Sequence, residues 1–357
     1  MIREFLSRGH RVIAIGSEEI PHVREALEGW GARYVVVPLR RAGLNPVADL
    51  GAVLSLYRTL RGLRADLVLA YTAKPVVYGM PTAWAAGIKR RYAMITGRGY
   101  AFQPGREWSR RVARLFAGLM YRYGLRFADG VLFHNNDDRE LFVREALVGP
   151  QTRTCRIWGS GIDLAQYQPE PLSRGPVRFL MVGRLIIDKG VREFVAAAER
   201  IKAKFPDVEF RLVGPTDPSP NGISEEEIRR WKQAGVVDYI GAVRDVRPEL
   251  ADCHVLVLPS YAEGLPRSVL EAMAAERAII TTDAPGCADT VEDGVSGYLV
   301  PARNAEALAK AMERVIAHPE FMISAGSAGL ALARQRFDVD KVNADICDFL
   351  DISDLHS

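Results

Sequence analysis

Several common signals are scarce or missing in this 357-residue chain. The four cysteines, Cys155, Cys253, Cys287 and Cys347, are scattered without a CxxC pair or ligand-like spacing. That excludes a zinc site or disulfide framework of recognisable pattern and fits a reducing compartment. No run approaches the roughly 18 consecutive apolar residues of a membrane span, and the N-terminus has no signal-peptide core. The expectation is a cytoplasmic protein, peripheral to a membrane at most. A net charge of +3 makes no case for nucleic acid as the main partner. The phosphate motif GxxxxGK[ST] does not occur and no GxGxxG follows a first strand, so an ATPase and a dinucleotide oxidoreductase both lose support.

What is present is a long alternation of short Val/Ile/Leu-rich runs with amphipathic stretches, the pattern of a parallel sheet covered by helices. Strands are expected at 11–17, 33–39, 65–72, 91–97, 130–136 and 154–160, then at 177–183, 208–214, 237–242, 254–260, 277–283 and 296–302. Helices are expected between them. The polar stretch QPEPLSRGP (168–176) is the clearest linker. The fold class is therefore α/β, with two doubly wound, Rossmann-like domains in tandem. Residues 1–168 form the first, 176–337 the second, and 338–357 are a terminal segment crossing back to the first. Two domains imply a cleft, with ligands at strand C-termini. The chain opens in IREFLSRGH, which reads as a helix end, so the first domain is expected to lack its first strand.

Chemistry concentrates in two stretches. In PSYAEGLPRSVLEAMA (259–274), a loop with Glu263, Gly264 and Leu265 meets Pro266 at a helix start, and Glu271 follows one turn in. Unpaired backbone N–H groups near Leu265, Arg267 and Ser268, aided by the helix dipole, suit a phosphate. Glu271 can accept hydrogen bonds from the two vicinal hydroxyls of a ribose. A solvated helix glutamate is the other reading, but its neighbours Val269, Leu270, Ala272, Met273 and Ala274 are apolar, and a carboxylate there calls for a partner. In VGRLIIDKGVREF (182–194), Gly183-Arg184 and Lys189 sit on a strand-to-helix turn, where two cations can neutralise a diphosphate. A solvated loop would carry the same residues.

These stretches, together with TDAPGCADTVEDGVSGYLV (282–300), YTAKPVVYG (71–79) and TGRGYAF (96–102), resemble a family 4 retaining glycosyltransferase of GT-B fold over nearly the whole chain. The KPVVYG and TGRGYAF stretches are similar to the subgroup that adds N-acetylhexosamines to undecaprenyl-diphosphate-linked acceptors. The resemblance implies that Arg184 and Lys189 hold the donor diphosphate, that Glu271 holds the ribose, and that Glu263 contacts the transferring sugar or its phosphate. It further implies that Gly183, Gly264, Leu265, Pro266 and Ser268 line the donor site, and that the base lies near Gly214 and the 241–246 turn with Val243. The partners implied are a nucleotide sugar and a polyprenyl-diphosphate-linked acceptor. No metal or other cofactor is implied. The triplet Asp338-Val339-Asp340 is better explained by helix capping.

On the acceptor side the candidates are Lys74, Arg98 and His134, although the last reads more readily as a satisfied, partly buried histidine. Ala73 stands where many relatives carry a histidine, and TGRG replaces the more usual TGLG. Residues 106–128 mix Arg106, Arg110, Arg111, Arg114, Arg122 and Arg126 with Trp108, Phe116, Met120, Tyr121 and Phe127, with Lys89, Arg90 and Arg91 as a further basic edge. This suits peripheral contact with an anionic membrane at its inner face; an amphipathic helix with solvated arginines is the other reading. The functional expectation is a retaining, metal-independent transferase moving N-acetylhexosamine from a UDP donor to a lipid-linked glycan. The alternative is a nucleotide-sugar-binding protein without transfer activity.

Overall fold

The computed structural model describes residues 1–39, 46–99, 102 and 108–353. Contacts divide the chain into two compact units, Met1–Ser160 with Val342–Ser357, and Gly161–Lys341. The stretch 168–176 belongs to the second unit by its bonds. Arg277, fully buried, donates to the carbonyl of Glu170 at 2.9 Å, the ring of His254 meets the Ser173 carbonyl at 3.0 Å, and Leu172 packs on the core.

In the first unit, α1 (Ile2–Ser7), β1 (Ile13–Gly16), α2 (Pro21–Gly29) and β2 (Arg33–Val36) are followed by α3 (Pro46–Leu63), β3 (Leu67–Tyr71) and α4 (Ala73–Ala85). Then come β4 (Arg90–Ile95), α5 (Trp108–Leu125), β5 (Gly130–Phe133), α6 (Asn136–Arg144) and β6 (Arg153–Arg156). All pairings are parallel, in a two-stranded sheet β1-β2 and a four-stranded sheet β3-β4-β5-β6. Strand β5 reads GVLF and is buried at every position because both of its faces are covered. Ala93, Ile95, Val131 and Phe133 pack on α4, α5 and α6, while Tyr92, Met94 and Leu132 pack on Val342, Ile346 and Phe349. Those last three residues lie on α13 (Val339–Phe349), which begins in the second unit and continues into the first.

In the second unit, β7 (Arg178–Val182), α7 (Val191–Lys202), β8 (Glu209–Val213), α8 (Glu225–Gln233), β9 (Asp238–Gly241) and α9 (Arg247–Asp252) precede β10 (Val255–Leu258) and α10 (Arg267–Ala274). The series ends with β11 (Ala278–Thr282), β12 (Gly297–Val300), α11 (Ala305–Ala317) and α12 (Pro319–Leu332). Its six parallel strands run in the order β12-β11-β10-β7-β8-β9. Phe179, Met181, Phe210, Leu212, Val257 and Ile280 pack against Phe194, Ala198 and Ile201 of α7 and Leu308 and Met312 of α11.

All twelve expected strands are present, each shorter than expected where the apolar run gives way to a turn, with β4 and β6 beginning one residue earlier, at Arg90 and Arg153. Helix α4 starts at Ala73, and Pro75 lies in its first turn, where the missing N–H costs nothing. Asp338 accepts from the Asp340 N–H at 2.9 Å at the start of α13, so the acidic triplet is indeed a cap. The segments through which the chain enters and leaves the second unit are joined side by side, Ile162 N–H to the Phe337 carbonyl at 2.7 Å and Val339 N–H to the Ile162 carbonyl at 3.0 Å.

One feature of this sheet places the site. The chain leaves β7 toward β8 on one side, whereas β10 continues to β11 on the other, so the order reverses between β7 and β10. Loops diverge at such a point and leave a crevice at the strand C-termini. The β7 loop nevertheless returns to touch the β10 loop at Gly190, where φ is +74° and a Cβ would sit 2.1 Å from the Pro259 carbonyl oxygen. Both the left-handed backbone and the contact demand glycine. Gly190→Ala is therefore expected to destabilise the protein by about 2–4 kcal/mol, read as a lower denaturant midpoint at unchanged slope.

Candidate functional site

The two loops at the β7/β10 switch point are tied by one ion pair. Lys189 Nζ lies 2.5 Å from Glu263 Oε1, and Ser260 Oγ donates to the same oxygen at 2.7 Å. Lys189 and Glu263 are mostly buried, with 21% and 15% side-chain exposure. The lysine stem runs across Gly183, where an added Cβ would meet its Cδ at 3.7 Å. Tyr261 N–H donates to the Asp188 carbonyl at 2.9 Å, and its hydroxyl to Glu193 Oε1 of α7 at 2.7 Å, while the Arg303 guanidinium lies 4.4 Å over its ring. Burial first, then the Glu193 carboxylate, pushes the Tyr261 phenol well above its ordinary range. The loop bearing Glu263 is thus clamped on three sides.

Helix α10 begins at Arg267, with Pro266 as the residue before its first turn rather than inside it. Val269 and Leu270 donate to the Pro266 carbonyl, which leaves the Arg267 and Ser268 N–H groups without a backbone acceptor among the described residues. Leu265 and Ser268 are half-buried beside them and Gly264 and Pro266 are buried. Glu271 is 13% exposed and accepts from Arg267 Nε at 2.9 Å. Arg184 is exposed and donates to Asp217 Oδ2 at 2.9 Å. Hydrogen bonds from Ser219 first, then the Arg184 charge, hold the Asp217 carboxyl below its usual range.

The remaining donor-side candidates are brought together by β8 and β9. Gly214 N–H donates to the Gly241 carbonyl at 2.8 Å, and a Cβ on Gly214 would sit 1.8 Å from the Gly183 carbonyl oxygen. Gly214 is therefore a close-approach glycine that lets the β7 and β8 ends meet. Val243 follows on the next turn and is exposed. Asp217, Glu193, Ser260, Tyr261, Arg267 and Arg303 were not singled out from the sequence as site residues. Ser260, Tyr261 and Arg267 lay inside one motif stretch and Glu193 inside the other; Asp217 and Arg303 join them through the fold.

In the first unit the acceptor-side candidates stand at neighbouring strand ends, but their charges are already used. Lys74 Nζ lies 3.0 and 3.2 Å from the carboxylate of Asp49, which also accepts from Tyr78. Arg98 Nε pairs with the fully buried Asp138 at 2.6 Å. Arg91 pairs with Asp129, and Arg90 donates to the Asp351 carbonyl, so neither adds a free basic edge. His134, next after β5, is 8% exposed, and its Nε2 has no hydrogen-bond partner among the described residues. It is buried, as one reading expected, but unsatisfied. Arg106 lies outside the described residues.

Burial lowers the His134 pKa to about 4. The unfolded chain protonates this ring near its ordinary value of about 6.5 while the folded protein does not, so the unfolded state binds more protons across the interval. Stability is complete above that interval and falls as the pH drops toward 4. His134→Gln is expected to flatten the dependence of melting temperature on pH between 4.5 and 7, leaving the smaller contribution of His254, also lowered by burial; scanning calorimetry across that range checks it.

Comparison with known proteins gives the family. Residues 1–157 match the family model described as glycosyl transferase 4-like domain, and residues 176–318 match that described as glycosyl transferases group 1. The chain is 29% identical over 300 residues to N,N'-diacetylbacillosaminyl-diphospho-undecaprenol alpha-1,3-N-acetylgalactosaminyltransferase of Campylobacter jejuni, covering 80% of this chain and 77% of that one. It is 24% identical over 300 residues to UDP-Gal:alpha-D-GlcNAc-diphosphoundecaprenol alpha-1,3-galactosyltransferase of Escherichia coli, covering 79% and 74%. The solved structure of Anabaena HepE in complex with UDP and glucose superimposes with a TM-score of 0.77 at 19% identity, covering 98% of this chain and 95% of that one. With a glycosyltransferase domain in each half and the GT-B architecture throughout, the chain belongs to the GT-B glycosyltransferases.

Proposed function

We propose that the protein transfers a sugar, N-acetylhexosamine in the first instance, from a UDP donor to a hydroxyl of a polyprenyl-diphosphate-linked glycan at the inner face of the cell membrane. The observation that carries this reading is the meeting of Lys189, Glu263 and the unpaired α10 N–H groups at the switch point, with Glu271 one turn further on. The N–H groups and the helix dipole suit the diphosphate, Arg184 and Lys189 its charge, and Glu271 the ribose hydroxyls. The names of the Campylobacter and Escherichia relatives, which act on diphospho-undecaprenol-linked sugars, support the donor and acceptor classes.

In the reaction, the bond between the sugar anomeric carbon and the diphosphate oxygen breaks, and the acceptor oxygen bonds to that carbon. The acceptor proton passes to the departing diphosphate. Cations and N–H groups already aimed at the leaving group stabilise the charge as it develops. Attack on the face the diphosphate leaves retains the anomeric configuration, and this scheme needs no metal. Glu263 lies beside the leaving group, where release of Lys189 to the diphosphate would free its carboxylate for a sugar hydroxyl. Nucleotide-sugar binding without transfer is the second reading, and no separate observation favours it.

Two measurements test the proposal. Calorimetric titration of UDP in the presence of a chelator should show binding to the parent, weakened about tenfold to a hundredfold in Glu271→Ala, as befits the loss of hydrogen bonds to a charged group. Unchanged affinity in the variant would remove Glu271 from the ribose. With an α-linked UDP-sugar and a lipid-linked acceptor, the anomeric proton coupling of the product should report an α-linkage; a β-linked product would refute retention.

A further inference from the structure

The outer face of α5 carries a row of exposed apolar side chains. Trp108, Val112, Leu115, Phe116, Leu119 and Tyr123 are all exposed, Trp108 by 79% and Leu115 by 67%. At 3.6 residues per turn these positions fall within an arc of about 100° on one side of the helix. Tyr121, Gly124 and Leu125 face the opposite way and are buried, so Tyr121 does not belong to the exposed surface. Trp84, at the end of α4 and 58% exposed, extends the surface through Phe127, its ring 5.2 Å away and itself 5.5 Å from Tyr123. A single exposed apolar residue is ordinary; a continuous stripe of six marks an interaction surface.

Charge indicates what covers it. Residues 108–128 contain no acidic side chain and five arginines. Arg114 is paired with Glu145, but Arg111, Arg122 and Arg126 have no carboxylate partner among the described residues. Arg111 and Arg122 border one edge of the stripe, about 20–40° from it by helical spacing, and Arg122 is held there by the Glu145 and Ala146 carbonyls. A second copy of this chain would bring arginine edge against arginine edge. An anionic bilayer instead accepts the aromatic and aliphatic side chains at its acyl boundary and the guanidinium groups at its headgroups.

We propose that the outer face of α5, with Trp84, is a membrane-docking surface that inserts its apolar stripe into anionic lipid and seats Arg111, Arg122 and Arg126 on the headgroups. This rests on the lipid-linked acceptor proposed above, which the active site would reach from the bilayer surface. No single described helix is long and apolar enough to cross a membrane.

The test is co-sedimentation of the full chain with vesicles of phosphatidylglycerol and phosphatidylcholine, against vesicles of phosphatidylcholine alone. The parent should bind the anionic vesicles, more weakly at 0.5 M salt by Debye screening. Leu115→Ser with Leu119→Ser, and separately Arg111→Gln with Arg126→Gln, should each lower partitioning by about tenfold or more. Both pairs should keep sugar transfer to a short-chain acceptor analogue free in water, which shows that they fold. Equal binding to neutral vesicles, binding unchanged in both variants, or self-association of the parent abolished by the leucine changes would overturn the proposal. Transfer to the free analogue without vesicle binding in the parent would overturn this inference alone. Vesicle binding lost in the variants, with no transfer by the parent to either acceptor, would uphold the surface and remove the transferase reading.

Discussion

The contact between Lys189 and Glu263 joins two loops that the sheet topology separates. Strands β7 and β10 are neighbours, yet their following helices depart in opposite senses, so the strand ladder does not by itself hold the Lys189 turn against the Glu263 turn. The ion pair at 2.5 Å links them, together with the Tyr261 N–H and the Ser260 hydroxyl on the Asp188 carbonyl. Other features of the crevice depend on the two turns staying together: the close approach at Gly190 and the Tyr261 hydroxyl on Glu193. A largely buried cation left alone would cost several kcal/mol, and here a carboxylate from the opposite loop compensates it.

The same logic extends across the donor side. Arg184 is matched by Asp217, Lys189 by Glu263, and Arg267 by Glu271. On the proposed function, an incoming diphosphate takes the place of Asp217 and Glu263 beside Arg184 and Lys189, and the ribose hydroxyls take that of Arg267 on Glu271, so binding exchanges one set of charge-assisted hydrogen bonds for another. Among the described residues the Arg267 and Ser268 N–H groups of α10 have no such competitor, which makes them the ready part of the proposed anion site.

The first unit uses its charges differently. Lys74 and Arg98 are closed off by Asp49 and Asp138, Arg91 by Asp129, and these pairs fasten helices and loops to strand ends. What remains open there, among the described residues, is the buried, unpaired Nε2 of His134 and the apolar, arginine-bordered face of α5.

The alternation of apolar runs and amphipathic stretches was enough to find every strand, because a strand covered on both faces must be apolar throughout, as in GVLF and VLVL, and such runs stand out from their surroundings. The VGRLIIDKG and YAEGLPRSVLEAMA stretches were equally legible, since a turn, a helix start and its charged residues lie within one short segment. The partners were not. Asp217 is 33 residues from Arg184, Glu193 is 68 from Tyr261, and Asp49 is 25 from Lys74. An ion pair leaves no local trace, because any surface loop carries the same residue types. The role of Gly214 and the attachment of 168–176 to the second unit also depend on atoms distant in the chain. For α5 the residue types alone announced a basic, aromatic helix. Which side chains face outward was decided only when one face of that helix packed against its neighbours and the other was left exposed.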